Sequence, residues 1–277
     1  MTTTQKIIKY IALVFAGFLI ITIISAILNG GYNLLQALGL IHTNSGTVTE
    51  ELNVISGELE EISTLKIDLS FTNLYIKAGE KFKVETNNST INFTDDSGNV
   101  KIKEKNKSWL NNKNLESNLI IYIPDNMVDL DQVEIDTGAG KIHIEKLNAK
   151  ELNFKLGAGD VYIENLTADK EANIDGGVGK TEIRSSQINN LNVDLGMGEF
   201  IFDGKVTGKS EVNSGVGAIN IDLIDNKENY SINVSKGIGN VTIDGENIEK
   251  DQLYGKGENY LDINGGIGEI NVKFKAQ

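Results

Sequence analysis

A block of two glycines one residue apart, followed by alternating apolar residues, recurs along this chain and limits what it can fold into. The copies are GAGKIHI (Gly138, Gly140), GAGDVYI (Gly157, Gly159), GVGKTEI (Gly177, Gly179), GMGEFIF (Gly196, Gly198), GVGAINI (Gly215, Gly217), GIGNVTI (Gly237, Gly239) and GIGEINV (Gly266, Gly268). Their first glycines stand 19, 20, 19, 19, 22 and 29 residues apart. The blocks hold fourteen of the 29 glycines, so the glycine excess belongs to the repeat and not to loops. Each follows a segment such as VEIDT, LNFKL or LNVDL in which apolar residues take every second place, the period of a half-buried strand. A period of about 19 residues suits one coil of a solenoid, whereas a propeller blade needs about 40. The expected fold is all-β: a single-stranded parallel β-helix of about 19–20 residues per coil, each coil contacting only its neighbours. The hand expected is right-handed, the preference of parallel crossovers.

Within one coil, Val133, Ile135, Ala139, Ile142 and Ile144 read as the inward set, with a change of parity after Ala139. A bulge or corner at the second glycine would produce that shift. Extra residues before the last two blocks predict loops on one side, such as Asn247 to Asn259. Upstream, LKIDLSFTNLYI (Leu65 to Ile76) reads as an atypical first coil with Thr72-Asn73 where the glycines would be. Phe93 to Ile102 and Leu119 to Ile123 read as irregular strands completing an N-terminal cap. The last strand, INVKF, carries Lys273 and Lys275, charges that discourage pairing at an exposed sheet edge.

Serial G-x-G coils, preceded by a strand ending in Pro (LIIYIPDNM, Leu119 to Met127) and then DLDQVEIDTGAG, resemble the bacterial putative-adhesin family, a β-solenoid domain of unknown function. The resemblance covers Ile62 to Val272. It implies an envelope-associated bacterial protein, with some relatives linked to envelope-stress signalling, and it carries over no catalytic residues.

Before the repeats, no charged residue occurs from Tyr10 to Thr49. Tyr10 to Leu28 gives 19 nearly all-apolar residues, close to the roughly 20 that a helix needs to cross a bilayer. A cleaved signal peptide is the weaker reading, because the apolar run is too long and Ile24-Ser25-Ala26 is a poor cleavage pattern. Lys6 and Lys9 precede the span and nothing basic follows until Lys66, so the N-terminus is expected in the cytoplasm and the remainder outside. The expected organisation is residues 1–9 cytoplasmic, 10–28 transmembrane helix, 29–61 juxtamembrane linker with a short apolar segment, and 62–277 β-solenoid.

Without cysteine the chain has no disulfide, no thiolate metal site and no cysteine nucleophile. A net charge of −13 argues against nucleic acid as a partner. Beyond the span 24 basic residues face 39 acidic ones, a net −15 that attracts cationic peptides or basic surfaces. Two places before each first glycine stand Asp136, Lys155, Asp175, Asp194, Asn213, Ser235 and Asn264. Stacking would align them in a column with rungs about 4.8 Å apart. Neighbouring Asp175 and Asp194 raise the question of calcium, but Lys155 would neutralise its neighbours, and a structural polar ladder is the favoured reading. No metal or cofactor is expected. A glycan-cleaving enzyme needs a paired acid and base with cations to hold substrate. The chain has one arginine, Arg184, and one histidine beyond the linker, His143, placed on the outer face. Trp109, the only tryptophan, reads as a cap side chain.

These features favour a non-enzymatic binding or structural module of the cell envelope, membrane-anchored, extracytoplasmic and adhesin-like. Its partners would be an envelope polymer, a surface protein or a cationic peptide. The alternative is a signalling accessory that responds to cationic antimicrobial agents; a polysaccharide-active enzyme is the third reading.

Overall fold

The computed structural model describes residues 48–105, 116–127, 129–248 and 253–275, so the expected span at 10–28 and Trp109 lie outside the described residues. Among the described residues no helix is long and apolar enough to cross a membrane. Gly46–Gln277 forms a compact unit.

The fold is all-β and solenoid-like. In the first part of the unit lie β1 (Val48–Val54), β2 (Thr64–Leu69), β3 (Asn73–Ala78), β4 (Lys83–Asn88), β5 (Ile91–Asp96), β6 (Asn99–Glu104) and β7 (Asn118–Ile123). The repeat region begins with β8 (Asp129–Ala139), β9 (Ile142–Ile144), β10 (Leu147–Ala158), β11 (Val161–Glu164), β12 (Leu166–Asn189) and β13 (Leu191–Thr207). It continues with β14 (Lys209–Val216), β15 (Ile219–Ile224), β16 (Tyr230–Ile238), β17 (Val241–Ile243), β18 (Glu246–Asn247), β19 (Leu253–Gly255), β20 (Asn259–Ile267) and β21 (Ile270–Lys275).

Through the middle of the chain, successive coils pair in parallel at the repeat spacing. On one long side Ile135, Phe154, Ile174, Val193 and Val212 are aligned partners. On the other side Ile144, Ile163, Ile183, Phe202 and Ile221 align in the same way. All ten are buried. The alternation in LNFKL is the reason: Leu152 and Phe154 point into the core, Asn153 is half-buried and Lys155 exposed. Each buried side chain contributes roughly 1.5–3 kcal/mol relative to exposure. The connection between the long sides is a short third side. There Leu147, Leu166, Ile188 and Val206 are buried, and the rungs hydrogen-bond as strands.

The order of coils departs from the expected sequential stack at both ends. Strands β20 and β21 do not follow β16 and β17 outward. They insert one place inside, where β20 pairs in parallel with both β14 and β16, and β21 with both β15 and β17. Ile270–Val272 of INVKF are therefore interior, and the edge expected along the whole segment is confined to Lys273–Lys275, which run past β17 and pair with β15 alone. Hairpin strands β18 and β19 flank β17 and β16 antiparallel, so part of the segment read as a loop from Asn247 to Asn259 is strand. The N-terminal end repeats this arrangement. Strand β2 pairs with β6 and β8, and β3 with β7 and β9. The coil at Leu65 to Ile76 is thus second in the stack, and β6 with β7 forms the outer one. Strands β5 and β4 close it antiparallel, and β1 pairs with β4.

Candidate functional site

The two long sides meet at the G-x-G triplets. At the second glycine of each triplet φ lies between +142° and +151°, a region that side chains with a Cβ rarely adopt. The first glycine is required for a different reason. A Cβ on Gly196 or Gly215 would stand 2.6 Å from the carbonyl oxygen of the matching glycine one coil earlier. The corner is therefore two columns of bare backbone separated by one column of side chains.

That middle column consists of Ala139, Ala158, Val178, Met197, Val216, Ile267 and Ile238, aligned rung by rung. The expectation places Ala139 inward; the structure turns this column to solvent, because the alternation reverses before the middle residue: Ile135 and Thr137 are buried at odd positions, Ile142 and Ile144 at even ones. Val178 is 57% exposed, Ile238 48%, Met197 45% and Ile267 37%. At the N-terminal end Phe71, 44% exposed, extends the row. The carbonyls of Ser70 and Thr72 face Gly138 and Gly140, so Ser70 and Thr72, not Thr72-Asn73, take the places of the glycines. On their outer side, among the described residues, the buried Glu104 carboxylate accepts the Ser70 N–H at 2.7 Å and the Phe71 N–H at 3.3 Å. Eight rungs about 4.8 Å apart give an apolar row of about 34 Å.

Beside the first-glycine column runs a shallow groove. One stretch of about 500 Å³ is lined by Asp136, Lys155, Asp175 and Asp194 with Gly157, Gly177 and Gly196. A second of about 670 Å³ shares Asp194 and Leu195 with it and continues past Asn213, Asn264 and Ser235. The expected column is thus present, with Asn264 between Asn213 and Ser235. Asn264 donates to Asn213 at 2.9 Å. One column further from the corner, Asn192 donates to Asn173, and Asn173 to Asn153, each at 3.0 Å. Asp136, Lys155, Asp175 and Asp194 are exposed. Lys155 stands between Asp136 and Asp175 as their aligned partner, and among the described residues it forms no ion pair with either. Its long side chain extends into water. Among the described residues no three His, Asp or Glu side chains converge as a metal site would require, since each rung brings only one side chain to the column.

On the other flank of the row Lys141, Asp160, Lys180, Glu199 and Glu269 follow the second glycines. Lys180 lies 2.7 Å from Glu182 and 3.8 Å from Glu199. The hydrogen bond from Lys180 holds the Glu182 carboxyl below the usual carboxylate range, and the same bond raises the Lys180 ammonium. Arg184 is likewise committed to Glu182. His143 sits half-buried on the outer face of the second side, its ring 5.1 Å from that of Tyr162. The Tyr162 hydroxyl donates to Glu164, which pushes its pKa up. The corner thus presents a line of exposed aliphatic side chains beside a groove wall in which Asp175 and Asp194 stand on adjacent rungs, with Lys155 on the rung before them and Lys236 further along. Its signal in the sequence was the middle residue of every G-x-G, apolar in all seven copies.

Residues 62–273 match the Toastrack DUF4097 family. The chain belongs to that family. No curated protein matches it. Among solved structures, a putative adhesin from Bacteroides fragilis NCTC 9343 shares the Toastrack architecture, with a TM-score of 0.52 at 15% identity over 81% of this chain and 98% of that one. A putative cell adhesion protein from Clostridium sporogenes ATCC 15579 is 22% identical over 83% of this chain and 100% of its own, with a TM-score of 0.38. A putative adhesin from Parabacteroides distasonis ATCC 8503 is 10% identical over 82% and 98%, with a TM-score of 0.43.

Proposed function

We propose that this Toastrack chain is a membrane-anchored, extracytoplasmic binding module of a bacterial cell envelope, adhesin-like and non-catalytic, whose contacts are made at the glycine corner. The observation that carries this reading is the row from Phe71 to Ile238. Singly exposed apolar residues are ordinary, but a contiguous row of them marks an interaction surface. The names of the structural neighbours, putative adhesins, agree with it. Anchoring rests on the 19-residue apolar run at Tyr10 to Leu28, and orientation on Lys6 and Lys9 before it.

The test has two stages. Protease is applied to intact cells carrying the chain with a C-terminal tag; loss of the tag without lysis is expected, and a tag cleaved only after lysis would refute the orientation. Retention of isolated cell-wall material and whole cells on the purified full-length chain is then compared with that on Val178→Ser/Met197→Ser. Loss of retention in the double variant is expected, and equal retention would remove the corner from the binding surface.

A further inference from the structure

The row and the groove wall beside it together specify the shape and charge of what covers them. Rungs recur about every 4.8 Å, and one turn of an α-helix rises about 5.4 Å. A helix laid along the stack therefore sets one apolar residue per turn against each rung, drifting only about 0.6 Å per rung. Four or five turns stay within contact reach. An extended strand repeats its same-face side chains every roughly 6.6 Å and loses register within two rungs. The glycine columns on both sides of the row carry no side chains, which leaves room for a cylinder of about 10 Å diameter.

Charge narrows the choice further. Asp175 and Asp194 stand on adjacent rungs of the groove wall, and neither forms an ion pair among the described residues. Basic side chains beside the apolar stripe of a docked helix would meet them. A second copy of this chain would bring the same two aspartates and a net charge of −13, so like charges would face each other.

We propose that the corner binds a cationic amphipathic α-helix, laid along the stack with its apolar stripe on Val178, Met197 and their neighbours and its basic flank on Asp175 and Asp194. This deepens the binding-module reading and rests on it. Helix-in-groove recognition of this kind reads residues at i, i+3, i+4 and i+7.

The experiment titrates a fluorescent Leu/Lys amphipathic peptide of about five turns into the full-length chain held in phosphatidylcholine nanodiscs, with empty discs as reference. Saturable binding is expected, weakening as salt rises. Val178→Ser/Met197→Ser should weaken it about tenfold or more. Asp175→Asn/Asp194→Asn should weaken it several-fold and flatten the salt dependence. Ile201→Ser, on the outer face of the second side, should leave it unchanged. Circular dichroism melting of each variant shows that the fold is intact. Equal affinity for a scrambled peptide of the same composition would overturn the proposal, as would unchanged binding in the row variants. A dimer in sedimentation that Val178→Ser/Met197→Ser dissociates would also overturn it and assign the row to a second copy. If the peptide fails to bind while wall or cell retention still depends on the row, the helix proposal alone falls. If retention is also independent of the row, the binding-surface reading falls with it.

Discussion

Alanine substitutions in the glycine columns separate two causes that the corner combines. Gly215 has an ordinary φ, but a Cβ there would stand 2.6 Å from the Gly196 carbonyl oxygen, against an unstrained carbon–oxygen separation of about 3.3–3.6 Å. The coils would have to part by about 0.7 Å or more in a close-packed stack. The expected cost of Gly215→Ala is about 1–3 kcal/mol, the range for overpacking. Gly245 isolates the other cause: its φ is +80°, and an added Cβ meets no atom within 4 Å. Gly245→Ala should cost about 1–2 kcal/mol from the backbone conformation alone. Gly198 has φ +144°, and its Cβ would press still harder on the Gly179 carbonyl. The two costs add, and Gly198→Ala should lose about 3–5 kcal/mol. Gly57, with an ordinary φ and no atom within 4 Å, is the reference, at zero to about 1 kcal/mol stabilising. Urea unfolding followed by circular dichroism gives the four values, with an unchanged slope required for the comparison. In thermal melts Gly198→Ala should fall about 6–20 °C below Gly57→Ala. If Gly198→Ala is no less stable than Gly57→Ala, the stacked-backbone account of the corner is wrong.

Three further outcomes are expected. Tyr230 is fully buried, its hydroxyl donates to the Val206 carbonyl at 2.8 Å, and burial pushes its pKa up to about 12. A raised pKa means that the stabilisation is complete below the unfolded value near 10 and is lost as pH climbs from about 10 to 12. Tyr230→Phe should be about 1 kcal/mol less stable at neutral pH, and this gap should shrink or invert by about pH 12; a gap constant with pH contradicts the assignment. Deleting Asn259–Lys275 bares the ladders of β14, β15, β16 and β17, so limited proteolysis should cut within 209–248, whereas an unchanged digestion pattern and melting temperature would show that the inserted coil is dispensable. Millimolar calcium should leave the melting temperature within about a degree of that in chelator, since ligand binding to the folded state would raise it; a rise of several degrees would make the Asp175–Asp194 column a cation site.

The sequence carries the strands, their period and the corner, because a core-facing residue at every second place and a glycine pair every 19 or 20 residues are local requirements. It also carries the polar column from Asp136 to Ser235, since stacking at a fixed period aligns equivalent positions. The face taken by Ala139 and its equivalents was not legible in the same way. It depends on where in the triplet the alternation reverses, which is before the middle residue and not at the second glycine. The order of the coils was less legible still. Spacings of 22 and 29 residues signalled irregularity, but whether the extra residues form a surface loop or carry the chain past one coil is decided by pairings such as Asn213 with Asn264, 51 residues apart. At the N-terminal end the reading found a glycine-free coil but not why it lacks glycine. Glu104, whose carboxylate takes the Ser70 N–H there, lies 34 residues from Ser70.

The intercalated coils change how the protein responds to mechanical load. In a stack laid down in chain order, tension on either terminus peels the outermost coil, breaking one ladder rung by rung. Here β2 and β3 near one end of the chain, and β20 and β21 near the other, are each clasped between two coils. Pulling either coil free ruptures two ladders together instead of unzipping one. Once the short strand β1 has come away from β4, a tether at the N-terminus hauls on a strand gripped from both sides, so tension meets a latch where a simple solenoid would fray.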